Sequence, residues 1–151
     1  MKPILRNCLL ILSLQLATIS IAVSAEILTV NNPWVRASVP AQQVTGAFMT
    51  LTAAADLRLV AVSSPQAGMV EIHQMTMENN VMQMRALPDG LALPKGKAIE
   101  LKPGGYHLMV MDLKQPMQLG AWLPLTLTVE SKDKKRSTVV VSAEVKALTT
   151  K

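Results

Sequence analysis

This chain has only two histidines, and both stand in short runs with methionine. VEIHQMTM carries His73, Met75 and Met77, VMQMR carries Met82 and Met84, and YHLMVMDL carries His107, Met109 and Met111. In an extended strand residues two apart share a face, so each run gathers its His and Met side chains on one side. Thioether sulfur is a soft, neutral donor and imidazole a borderline one, a pairing that selects Cu(I) over hard cations such as Mg²⁺ and Ca²⁺. Zinc suits the set poorly, because its sites draw on Cys, His and carboxylate. Packing is the competing explanation. Methionine is a common core filler, ten of 151 residues are Met, and a single His on an apolar strand face is commonly a hydrogen-bonded core residue. Periodicity and composition leave both readings open. Met49, Met69 and Met117, with no His nearby, read as packing residues.

The elements that position these side chains are short strands. ILTV, AFMTLT, LRLVAVSS, VEIHQM, VMQMRA, AIELK, YHLMVMDL, PLTLTVE and STVVVSAEV alternate or are rich in Val, Leu, Ile, Thr and Met. Turn chemistry separates them at 31–33, 39–40, 78–80, 88–90, 94–96, 103–105 and 131–135. No stretch carries a helical stripe, and no internal repeat stands out. Regularly spaced short strands predict an all-β fold, an antiparallel sandwich or barrel. LTLTV is the clearest alternation, with Leu125, Leu127 and Val129 on one face and Thr126 and Thr128 on the other. Pro103 fixes its own φ while Gly104 and Gly105 permit positive φ, which predicts a sharp turn that starts a strand just before His107.

Residues 1–25 have Lys2 and Arg6 ahead of an apolar run and end Val23, Ser24, Ala25, the layout of a secretory signal peptide cut before Glu26. The apolar run Cys8 to Val23 is 16 residues, against roughly 20 for a spanning helix. Leu5, Arg6 and Asn7 do not form a lipoprotein lead-in to Cys8, so no lipid anchor is expected. Cleavage removes the only cysteine, which excludes a disulfide, a thiolate metal site and a cysteine nucleophile from the mature chain. A blue copper electron-transfer site needs a Cys thiolate and is excluded with it. Residues 26–151 suffice for one domain. Without Lys2 and Arg6 the chain has 13 basic and 10 acidic residues, a net charge of +3. Scattered basic residues and four aromatics offer no stacking surface for nucleic acid, and KDKKR at 132–136 reads as a solvated hairpin tip. No Ser, His and Asp signature suggests a hydrolase.

The run of motifs WVRASVP, VTGAFMTLT, VEIH, VMQMR, LPKGK, ELKPGGYHLMVMDLKQP and PLTLTVE resembles the periplasmic copper chaperones known as PCuAC, over nearly the whole mature chain. That family's ligand pattern is His, ten residues, Met, about twenty-one residues, His, one residue, Met. Here ten residues separate His73 from Met84, and His107 and Met109 form the closing pair. The Met84 to His107 interval is 22 residues, one more than the pattern, which keeps Met82 beside Met84 as a candidate.

The resemblance implies a cupredoxin-like antiparallel Greek-key β-sandwich or barrel. It implies one Cu(I) per chain held by His73, Met84, His107 and Met109. It also implies delivery of the copper to a respiratory oxidase subunit, notably the dinuclear copper site of cytochrome c oxidase, or to another copper carrier. The chain ends VKALTTK, without the His- and Met-rich tail that some members use for Cu(II). The expectation is therefore a monomeric, non-enzymatic periplasmic carrier that meets the membrane only through its acceptor. The alternatives are a metal-free exported binding or assembly module, and a copper store or scavenger.

Overall fold

The computed structural model describes residues 26–147. The expected leader, Cys8 within it, and the last four residues lie outside the described residues. Ten strands follow one another: β1 (Leu28–Arg36), β2 (Val44–Ala53), β3 (Leu57–Ser63), β4 (Ala67–Glu78), β5 (Val81–Ala86), β6 (Leu91–Leu93), β7 (Ala98–Leu101), β8 (Tyr106–Leu113), β9 (Trp122–Ser131) and β10 (Arg136–Lys146). Among the described residues there is no helix.

The strands pair in the order β5-β4-β8-β7-β2-β1-β10-β9-β3-β6. A further β3–β4 pairing at Val62 and Val70 closes the ring from β4 round to β3 into an eight-strand barrel, leaving β5 and β6 as flanking strands. β7 enters the ring as a wedge, because β8 pairs directly with β2 over Val44–Ala47. Most pairings are antiparallel, as expected. β1 with β10 and β7 with β8 are parallel, which alternation alone does not reveal.

Two details differ from the sequence reading. Asn31–Pro33 is not a turn between elements. It lies within β1, where the register shifts between Asn31 and Trp34 and Asn32 takes φ of 49°. An Asn at positive φ and a Pro that cannot donate a ladder hydrogen bond serve a bulge as readily as a turn. β6 is the strand that the sequence reading omits, three residues squeezed between two turn clusters.

Alternation places the core. Leu123, Leu125, Leu127 and Val129 of β9 are buried with Leu51 of β2, Leu59 of β3 and Leu108 and Val110 of β8. Each such side chain contributes roughly 1.5–3 kcal/mol on burial. Met49 and Met117 are buried with them, in agreement with the packing assignment. The other face of β1 and β2 carries a small second cluster, in which Trp34 lies against Phe48 with ring centroids 4.5 Å apart.

Candidate metal centre

β4 and β8 run side by side with one face in the barrel and the other outside. Ile72, Leu108 and Val110 fill the core, so His73, His107 and Met109, one residue out of phase, face outward. The register sets His73 opposite His107, Glu71 opposite Met109 and Met69 opposite Met111. Across the β4–β5 hairpin, Met75 stands opposite Met84 and Met77 opposite Met82. Directly opposed residues of an antiparallel pair have neighbouring side chains on one face. The hairpin turns on Asn79 and Asn80, at φ of 50° and 62°, the two left-handed residues that a tight two-residue connection needs. The predicted turn before β8 is present. Gly104 takes φ of 81°, and Lys102 and Tyr106 are joined by a backbone hydrogen bond.

The two imidazoles approach edge to face, with centroids 5.6 Å apart. His107 is 5% exposed. Its Nδ1–H donates to the Gly105 carbonyl at 3.1 Å, which leaves Nε2 as the lone-pair donor. His73 does the reverse: its Nε2–H donates to the Glu71 carboxylate at 2.8 Å, and its Nδ1 is buried without a hydrogen-bond partner. An unpartnered buried nitrogen is costly unless something else uses its lone pair. A carboxylate or carbonyl on the second ring nitrogen is also the arrangement that orients metal-binding histidines.

Met84, His107 and Met109 line one cavity of about 440 Å³, and Met75 joins them on its wall. His73 is not on that wall; it stands opposite His107 in the ladder. Met82 and Met77 lie further toward the hairpin tip, and Met111 lies toward the far end of β8 opposite Met69 and Val44. Met84 is nearly half exposed, so the cavity opens to solvent. Among the described residues no three His, Cys, Asp or Glu side chains come together as a metal site. The donors available here are therefore neutral, two imidazole nitrogens and several thioethers, a set fitted to a soft monovalent cation.

The sequence reading missed Glu71, although its position two before His73 puts it on the same strand face. It also missed Arg36, Gly46 and Phe48, which line the same cavity. Only the β2–β8 pairing, with Gly46 opposite Met109, brings them there.

The apo PCuAC domain of PmoF1 is similar to this chain at 26% identity, covering 81% of this chain and 95% of that one with a TM-score of 0.64. The Cu(I) form of DR1885 from Deinococcus radiodurans is similar at 29% identity, covering 82% and 83% with a TM-score of 0.57. A curated relative, "Putative lipoprotein Lxx21020" of Leifsonia xyli subsp. xyli, is 30% identical over 100 residues, which is 65% of this chain and 59% of that protein. The chain thus matches a little over half the length of that relative. The barrel is the cupredoxin-like fold of PCuAC domains. With residues 28–145 matching the family described as "Putative lipoprotein LpqE-like", a span that leaves out Cys8, the chain belongs to the LpqE-like family and is of PCuAC type.

Proposed function

We propose that the protein is an exported copper carrier. It binds one Cu(I) through His73, Met84, His107 and Met109 and hands it to a thiolate-bearing acceptor such as the dinuclear copper site of a respiratory oxidase. The observation that carries this reading is the pair of opposed imidazoles, each tethered through one nitrogen and free at the other, beside a cavity walled by thioethers. The copper-loaded relative DR1885 supports copper as the cargo. Met84 is preferred to Met82 because it lines the cavity and stands two register pairs nearer the histidines.

The residues of this chain would divide the work. Glu71 and the Gly105 carbonyl hold the rings, and the His nitrogens and Met sulfurs bind the ion without adding charge. The half-exposed Met84 leaves a side from which a stronger donor can enter. Thiolate is that stronger soft donor, so transfer to a reduced dicysteine acceptor runs downhill while an oxidised acceptor takes nothing. The binding test is titration of the protein with Cu(I) kept reduced. The expected curve breaks at one equivalent, with Cu(II) bound far more weakly. Equal or tighter Cu(II) binding would overturn the ligand set.

A further inference from the structure

The cavity has a second chemical component. Arg36, at the end of β1, lines it together with His107, Met109 and Met84. Its guanidinium carbon lies over the Phe48 ring, 5.8 Å from the centroid, a cation–π contact. Its Nε is buried without a hydrogen-bond partner, and among the described residues it forms no ion pair. Gly46 makes room for the Phe48 ring. It stands opposite Met109, and a Cβ there would lie 2.8 Å from the tip of the Phe48 ring.

An arginine that lines a cavity with no carboxylate partner is a site for an anion. The carrier reading, on which this step rests, gives that anion its place. Four neutral ligands leave bound Cu(I) with its full positive charge, and the cavity wall itself carries no carboxylate, Glu71 being engaged by His73. We infer that Arg36 is a positioning residue for the anionic donor that takes the copper, holding an incoming thiolate against the cavity while its sulfur bonds the metal. In that step the thiol gives its proton to solvent, a copper–sulfur bond forms and a bond to one neutral protein ligand breaks. Copper remains Cu(I), and nothing is oxidised or reduced.

Two measurements test this. In the first, the metal-free protein is titrated with thiocyanate, a soft monoanion, while the Arg36 Nε–H resonance is followed by NMR. A saturable shift is expected, absent in Arg36→Gln and retained in Arg36→Lys at the neighbouring Gly46 and Phe48 amides. In the second, Cu(I) affinity is measured by competition with a chelator, and transfer to a reduced two-cysteine peptide is followed by stopped flow. Arg36→Gln should bind Cu(I) as tightly as the parent or more tightly, because a nearby cation is gone. It should transfer about tenfold more slowly, the loss of one charge-assisted hydrogen bond. Arg36→Lys should recover part of the rate. A merely structural role would weaken affinity and transfer together, and that result, or a parent-like rate in Arg36→Gln, overturns the inference. A parent protein that binds no Cu(I) overturns the carrier reading instead, and the thiocyanate titration still decides whether Arg36 holds an anion.

Discussion

Two of the molecule's hairpins spend their apolar residues differently. In β9–β10, nine register pairs run from Arg136 with Glu130 to Glu144 with Trp122, and alternate β9 positions, Leu123 to Val129, are buried in the barrel. Its tip is held by charge, with Lys134 and Arg136 on Glu130 and Lys132 on Asp56. In β4–β5, no residue of β5 is buried, and Met77, Val81, Met82 and Met84 stand substantially exposed. Apolar side chains left in water forgo roughly 1.5–3 kcal/mol each that burial would have contributed. The first hairpin uses its pattern to build the core, whereas the second carries a similar density of apolar residues on a face that the core does not need. That surplus is the mark of the site.

The contrast can be broken most severely inside the barrel. Leu127 is fully buried, and Leu127→Ala should cost about 2–5 kcal/mol, since both transfer energy and a cavity are lost. Denaturant unfolding monitored by tryptophan fluorescence gives the value. A loss under 1 kcal/mol would mean that β9 does not pack as described.

On the exposed hairpin the same kind of change should move binding and leave folding almost alone. Met84→Leu conserves volume on a half-exposed residue, so stability should shift by less than about 1 kcal/mol. Removing the sulfur should lower Cu(I) affinity about tenfold, or 1.4 kcal/mol. Met82→Leu, two register pairs further toward the tip, should stay within about threefold of the parent. Competition with a Cu(I) chelator ranks them, and the opposite order would transfer the ligand role to Met82.

These paired experiments also show why some of the molecule was legible beforehand. Period-two alternation needs only neighbouring residues, so β9, β8 and the same-face sets His73, Met75 and His107, Met109 could be read directly, though not which way those faces point. What brings the sets together is register between strands distant in sequence, with His73 opposite His107 and Gly46 opposite Met109, and no local pattern encodes it. Arg36 reaches the cavity through two pairings in series, β1 with β2 and β2 with β8. Turn residues mislead for a related reason. Asn32 and Asn79 take almost the same φ, yet one bends a continuing strand and the other reverses the chain, because the strands alongside decide which.

The smallest effect belongs to the charged tip. Asp56 accepts from the Lys132 ammonium at 2.7 Å and from the Lys95 backbone N–H at 2.9 Å. These contacts, with Lys132 the larger cause, hold its carboxyl below its usual value of 3.8, and Lys132 is raised in turn. Glu130 is likewise held below 4.5, by Arg136 first and Lys134 second. A carboxylate whose pKa is depressed on folding contributes stability that is present above its unfolded pKa and is lost as pH falls through the folded value. Asp56→Asn keeps an acceptor for Lys95 but loses the pair with Lys132. It should therefore be slightly less stable than the parent at pH 7, and the gap should close as pH drops below 3.8. Salt should narrow the gap as well, since an exposed pair is screened. Thermal melts of both proteins at pH 7, 5 and 3, in low and high salt, make the check. A difference that persists unchanged at pH 3 would mean that Asp56 stabilises the loop through its shape and hydrogen bonding alone, and that its charge pair with Lys132 carries no stability.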